Sequence, residues 1–397
     1  MKTYESQVCI VGAGPSGLAA AIGLALADVP FVLLDAGTGP VTESRALVMH
    51  AGGTEVLRHL GVADELVDAG LKMPTFRIYG RRRTLTTIPW DSVASPFPFI
   101  LFVPQRTTES VLHRRLAQLG AQPLHEHRVT GVAEVAGGYE VTGDGFAVRA
   151  PYLVGADGLG STVRRELGIT LPTGTYDTAF LLGDVDLDGP LDPTVTHVFP
   201  SRHGLLFFGP TADGPWRLII TVRTPRLPTT PTKQVLQRHV DERGPGGLRI
   251  KELTWSAAFR AQHGVASSFG HGGAALVGDA AHTHSPTGGQ GLNTGIQDAY
   301  DLAATLAAIH RGAPAGAALA GYRSRRHAAA QEVVQVTHRV HQALTAGTLP
   351  VHLLRLGVLS VLELLPAVRR RVARTVSGIG RTPHATGAPT LRPADNR

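Results

Sequence analysis

Lysine is nearly missing from this 397-residue chain. It occurs only at Lys2, Lys72, Lys233 and Lys251, so the net charge of +7 is carried almost entirely by arginine. The dense clusters Arg81-Arg82-Arg83 and Arg369-Arg370-Arg371 lie far apart and carry no interleaved aromatic residues, which argues against a nucleic-acid partner. Cysteine is scarcer still. Cys9 stands alone in the apolar run Val8-Cys9-Ile10-Val11, which excludes an internal disulfide framework and fits a reducing, cytoplasmic setting. The chain passes almost at once from Met1-Lys2-Thr3-Tyr4-Glu5-Ser6 into that run, leaving no stretch for a signal peptide. Long apolar runs are absent too. Val351 to Leu365 is strongly apolar but is interrupted by His352, Arg355 and Glu363, short of the ~20 residues a membrane span needs. It reads as a docked or dimer-covering helix, with attachment along a membrane surface as the alternative. The G-x-S-x-G elbow of a serine hydrolase is missing as well, and no Ser-His-Asp set stands out.

What is present is globular: 43% hydrophobic and 17% charged residues, in a chain long enough for two lobes. The opening reads as strand (Gln7 to Val11), glycine turn, helix (Pro15 to Ala27), strand (Phe31 to Leu34) and Asp35, a βαβ start. The turn is Gly12-Ala13-Gly14-Pro15-Ser16-Gly17. Gly12 permits the tight turn, Gly14 lets backbone approach a pyrophosphate, and Gly17 lets helix and strand pack closely. Asp35 follows Gly17 by 18 residues, near the offset of about 20 at which a carboxylate meets ribose hydroxyls. Helical patterns recur from Thr54 to Leu66 and from Thr107 to Leu119; short strands follow near Val129–Val135, Tyr139–Val141 and Phe146–Leu153.

From about Thr170 to Ser268 helical periodicity almost vanishes, and runs such as Leu205-Leu206-Phe207-Phe208 and Trp216 to Val222 read as antiparallel strands. An earlier excursion, residues 76–99, has the same character. The apolar strand Ala274 to Val277 then leads into Gly278-Asp279-Ala280-Ala281-His282 and Pro286-Thr287-Gly288-Gly289-Gln290-Gly291-Leu292-Asn293, which opens a helix to about His310. That arrangement sets one carboxylate at a strand end and aims free helix-start amides at a second electron-rich group. The expected division is 1–75, 100–169 and 270–345 for a discontinuous nucleotide domain, 76–99 and 170–269 for a substrate domain, and 346–397 for C-terminal helices with a frayed tail from Thr382.

Two other motifs carry weaker signals. Gly270-His271-Gly272-Gly273-Ala274-Ala275 fits the looser G-x-G-x-x-A pattern, but its glycines precede a strand, so it lacks the dinucleotide mechanism and a second nucleotide must bind transiently. His282 and His284 invite a zinc reading, yet no cysteine or carboxylate cluster accompanies them, and no metal is expected.

With the Gly12 turn, the strand-end segment Gly155-Ala156-Asp157-Gly158 and the Gly278-Asp279 turn in this order, residues 5 to 345 resemble the FAD monooxygenases of the para-hydroxybenzoate hydroxylase type. The stretches Ser44 to His50 and Glu55 to Val62 are most similar to hydroxylases of aromatic polyketides and phenols. The resemblance implies an α/β fold, a Rossmann-like FAD-binding domain interleaved with an antiparallel substrate sheet. It implies that Gly12, Gly14, Gly17 and Asp35 hold the ADP half of FAD, that Arg45, Gln105 and Asp157 contact the cofactor, and that Asp279 meets the ribityl chain. Pro286, Gly289 and Gln290 would form the reactive loop along the flavin ring, with Gly291, Leu292 and Asn293 continuing it. NADPH or NADH would reduce the flavin, dioxygen would add to give a flavin peroxide, and one oxygen atom would pass to a small aromatic or polycyclic substrate. Oxidase, reductase and antibiotic-inactivating variants stay open; a halogenase is disfavoured because Trp90, Trp216 and Trp255 are isolated and form no W-x-W-x-I-P segment. Phe199, Phe207, Phe208, Trp216 and Ile220 are candidates for a dry substrate wall and equally for plain sheet core. The chain is expected to be a monomer or homodimer without a membrane span. The family's ribose position is often Glu, where this chain has Asp35, and the thioredoxin-like C-terminal domain of many polyketide hydroxylases has no room in 397 residues.

Overall fold

A computed structural model describes residues 1–40, 46–80, 83–224, 227, 230–345 and 347–391. The helices in chain order are α1 (Pro15–Leu26), α2 (Ala51–His59), α3 (Ala63–Ala69), α4 (Gln105–Gln118), α5 (Thr162–Glu166), α6 (Lys233–Arg243), α7 (Gly291–His310), α8 (Ala315–Thr345), α9 (Leu349–Glu363) and α10 (Pro366–Ser377).

A parallel sheet runs Ala274–Leu276, Tyr152–Gly155, Val8–Val11, Phe31–Leu34, so strands distant in sequence lie side by side. Parallel strands buried on both faces are read as continuous apolar runs, and Val8, Cys9, Ile10 and Leu276 are each fully buried. Burial pushes the Cys9 thiol up to about 12, leaving it protonated and inert. The larger sheet has eight strands, with Gly174–Asp188 and Arg249–Val265 as its longest pair toward one end and Thr75–Tyr79 and Thr84–Pro89 at the other. Of the excursion expected over 76–99, Thr75–Tyr79 and Thr84–Pro89 join this sheet.

Three expectations needed correction, and one strand was not foreseen. The helix expected from Thr54 to Leu66 breaks into α2 and α3 because Gly61 turns with φ +78°. The strand expected from Phe146 to Leu153 divides at Pro151, which has no amide to donate; Phe146–Ala150 and Tyr152–Gly155 lie in different sheets. Lys2–Glu5 is itself a strand, paired in parallel with Phe146 to Arg149. The tail expected to fray from Thr382 docks as far as Leu391, the last described residue: Thr382 and Leu391 are each 3% exposed, and Leu391 packs in the main core near Gly23.

Candidate functional site

The glycine turn is fixed by close contact. Gly12 has φ +102°, and a Cβ there would stand 2.4 Å from the Ala156 carbonyl; at Gly17 it would stand 1.8 Å from the carbonyl of Gly12. Gly14 differs, since nothing lies within 4 Å of its would-be Cβ. Its open side is where another molecule can approach. Asp35 accepts the Ala13 and Gly37 amides, both at 2.7 Å, so its carboxylate shapes the turn. Asp157 accepts the Thr162 and Val163 amides at 2.7 and 3.0 Å and the Ser161 hydroxyl, and so spends its oxygens on the start of α5.

The second turn meets the first. Gly278 has φ +60°, and a Cβ on either Gly278 or Gly295 would collide with Ser16 Oγ, at 2.5 and 2.4 Å. The first turn of α1 is thus packed against the Gly278-Asp279 turn, about two thirds of the chain away in sequence. Asp279 is exposed, yet it sits so deep among protein atoms that burial raises its carboxyl above the usual range, with His282 opposing. An exposed group in a low-dielectric recess lines a concavity. Neither α1 nor α7 has a side chain capping its N-terminus, and Ser16 of α1 and Gly295 of α7 both pack against Gly278. Free amides and positive helix ends at one place suit a diphosphate and an electron-rich ring.

The loop ahead of α7 is held from several sides. Gly288 is exposed with φ +101°, and Gly289, φ +64°, comes against Val48, where a Cβ would stand 2.7 Å from the valine. Pro286 and Leu292 are half-buried, and Gly291 faces His284. Asn293 is a latch: its Oδ1 accepts the His50 amide at 2.7 Å, while Nδ2 donates to Val48 and Gly289 carbonyls at 3.0 and 2.8 Å. Gln290 donates to the Val376 carbonyl at 2.6 Å and accepts from Arg381 at 3.1 Å, joining the loop to the C-terminal segment. Gln105 holds Ala46 through its amide oxygen and donates to Glu109 at 2.8 Å. Arg45, with Arg81 and Arg82, lies outside the described residues.

Several residues with no sequence signal complete the neighbourhood. His50 donates Nε2–H to the Gly288 carbonyl at 2.6 Å, and burial pushes its pKa down to about 4, so the ring is neutral. Its Nδ1 is buried without a partner. His341 of α8 bridges Ser285 and Thr287 (3.1 and 3.2 Å) to Thr178 of the large sheet (2.8 Å). Burial and the neighbouring His338 and His263 lower its pKa to about 4. His282 donates to Asp298 at 2.7 Å, and Asp298 also pairs with Arg326 at 2.6 Å, all three fully buried. Burial alone would raise the Asp298 carboxyl; Arg326 and His282 more than offset that and hold it below its usual value. Among the described residues no group of three His, Cys, Asp or Glu side chains comes together as a metal site.

An aromatic file runs from this loop to the large sheet: His50 to Trp90, Trp90 to Phe76, Phe76 to Phe207 and Phe207 to Phe102, with ring centroids 5.8–6.3 Å apart. Phe207 is half-buried on the sheet face that meets this file. Phe199 and Phe208, with Ile220, lie on the other face, in a core with Leu236 and Val240 of α6, and Trp216 packs against that core. Strand alternation decides this, since neighbouring residues point to opposite faces. The structure turns Phe199, Phe208 and Trp216 away from the loop.

Residues 5–337 match the family model of the FAD binding domain. The chain belongs to that family. It is 36% identical over 314 residues to the 6-methylpretetramide 4-monooxygenase of Streptomyces rimosus, covering 77% of this chain and 56% of that protein. A solved structure of the anhydrotetracycline hydroxylase from Streptomyces rimosus superimposes with a TM-score of 0.78 at 28% identity, over 94% of this chain and 76% of that one. The dialkyldecalin synthase of Streptomyces rugosporus is 31% identical over 384 residues, 94% of this chain and 80% of that protein. The chain thus spans little more than half the length of the first of these relatives. The α/β fold is also that of the p-nitrophenol 4-monooxygenase of Pseudomonas putida, 22% identical, with a TM-score of 0.82 over 95% of this chain and 99% of that one.

Proposed function

We propose that this protein is an FAD-dependent, NAD(P)H-consuming monooxygenase that transfers one oxygen atom from dioxygen to an aromatic or polycyclic small molecule. The observation that carries the reading is the meeting of the glycine turn, the Asp279 recess and the uncapped start of α7 around Ser16. The residues fit FAD. Gly14 would leave room for a pyrophosphate, Asp35 would meet the adenosine ribose hydroxyls, Asp279 would meet a ribityl hydroxyl, and Pro286 to Leu292 would lie along the ring. Bound there, FAD supplies the redox and oxygen chemistry, which side chains lack.

The chain's own contribution is positioning and exclusion of water. The first amides of α7 offer a positive helix end to negative charge on the ring. His50, neutral and bonded to Gly288, holds the loop carbonyl in place. Trp90, Phe76 and Phe207 supply the apolar wall. The discontinuous cofactor lobe of residues 1–75, 100–169 and 270–345 and the substrate sheet of 76–99 and 170–269 are part of this proposal.

Purified protein should be yellow, and NADPH oxidation should rise on adding a polycyclic phenol, with label from isotopic dioxygen in the product. Colourless protein that takes up no added FAD would contradict the reading. The likeness to a dialkyldecalin synthase favours one second reading, ring formation without oxygen transfer. Flavin-loaded protein that converts a polyene without consuming NADPH would establish it.

A further inference from the structure

Helix α9 is built inside out. Its polar side chains His352, Arg355, Ser360 and Glu363 all lie on the inward half, buried or half-buried, whereas Val351, Leu353, Leu354, Val358 and Val361 are exposed. Arg355 is 7% exposed and docks the helix through polar bonds, donating to the carbonyls of Ala343, Leu344 and Ser201 at 3.2, 2.8 and 2.9 Å. Glu363 accepts the Thr87 amide at 2.8 Å and pairs with Arg369. The apolar surface continues past the helix through Leu364, Leu365 and Val368, which are 77%, 45% and 43% exposed. Most of the exposed large apolar side chains of the described residues fall in this one stretch. A soluble surface rarely concentrates apolar groups this way without a partner.

Charge selects the partner. On α10 the exposed Arg370, Arg371 and Arg374 border the apolar patch, and the exposed turn at Arg202 and His203 approaches His352 from the other side. The one carboxylate on these two helices, Glu363, is partly exposed but bound to the Thr87 amide and Arg369; Asp91 lies at the cleft with Pro366, Arg369 and Arg370. Leucine and valine ringed by arginine match a surface that is apolar inside and anionic at its rim. A second copy would bring the same arginines against their like. No single helix among the described residues is long and apolar enough to cross a bilayer.

We propose that the outward face of α9 and α10 rests on an anionic lipid bilayer, with Leu353, Leu354, Val358 and Val361 entering the acyl boundary and Arg370, Arg371 and Arg374 meeting headgroup phosphates. The helices lie in the interface plane and span nothing. This holds whichever reaction the FAD site performs.

The test is flotation of the full chain with vesicles of phosphatidylcholine alone or mixed with phosphatidylglycerol. The expected result is flotation with the mixed vesicles only, reduced at high salt. Arg370→Glu combined with Arg371→Glu should weaken partitioning at least about tenfold, and Leu354→Glu with Val358→Glu should abolish it. Circular dichroism and visible absorbance should stay unchanged in both, since these side chains face solvent. Equal flotation with both vesicle types, or none with either, overturns the proposal. So does a stable dimer in sedimentation that ignores vesicles and dissociates on Leu354→Glu, which would assign the face to a second copy.

Discussion

The Gly12–Gly17 turn and the eight-stranded sheet are fixed by contacts of different range. In the turn, Gly17 meets Gly12, Asp35 reaches back to Ala13, and Gly12 meets Ala156 at the end of the neighbouring strand, while Gly14 stays open. In the sheet, the side of a residue depends on register with strands far off in sequence, as when Leu182 pairs with Ile219 and Ala257. A local rule can be read from residue spacing. A register cannot, and a shift of one residue reverses every side chain.

The largest expected effect lies in the turn. Gly17→Ala places a methyl group 1.8 Å from the Gly12 carbonyl, and we expect colourless, poorly soluble protein in expression trials scored by flavin absorbance. Next comes Arg326→Met, which strips the buried Asp298 of its guanidinium and leaves it His282 and the Gly278 amide; thermal unfolding should show a loss of about 3–5 kcal/mol. The two faces of the sheet should then separate. Phe208→Ala should cost about 3–5 kcal/mol of stability, because its ring fills the core under α6, and should leave KM nearly unchanged. Phe207→Ala, on the face toward Trp90 and Phe76, should cost less stability and raise KM or uncouple NADPH oxidation from product. If Phe208 controls KM instead, the assignment of faces is wrong.

A pH titration of stability sharpens the same contrast at the interface of the two regions. Burial lowers the His50, His284 and His341 pKa values to about 4, against 6.5 for an ordinary imidazole. The unfolded chain takes up these protons first, so stability should hold above about pH 6.5 and fall as pH drops toward 4, by up to about 1.4 kcal/mol per pH unit for each group. His341→Gln should flatten that slope. The smallest effect belongs to Gly14→Ala, which meets no atom within 4 Å: apoprotein stability should shift by no more than about 1 kcal/mol, while FAD binding weakens.

The α/β character, the interleaving of lobes and the strand-turn-helix units at Gly12 and Gly278 were legible in the sequence, because period and glycine placement are local. The work of individual polar residues was not. Asn293 sits beside the glycines of its loop, but its bonds go to Val48 and His50, more than 240 positions away. Asp157 and Asp35 lie at strand ends as spacing suggests, yet their oxygens already serve backbone amides. His282 looks like half of a metal pair until α7 and α8 bring Asp298 and Arg326 to it. Pattern gave no hint of the His341 bridge, which needs a helix, a loop and a strand in one place.

Titration of FAD-depleted protein with FAD, followed by flavin fluorescence, tests the central claim that distant segments form one cofactor cradle. The account predicts saturation at one FAD per chain, with Asp35→Ala and Asp279→Ala each weakening affinity at least about tenfold. Binding that neither substitution disturbs, or no saturable binding at all, would contradict it.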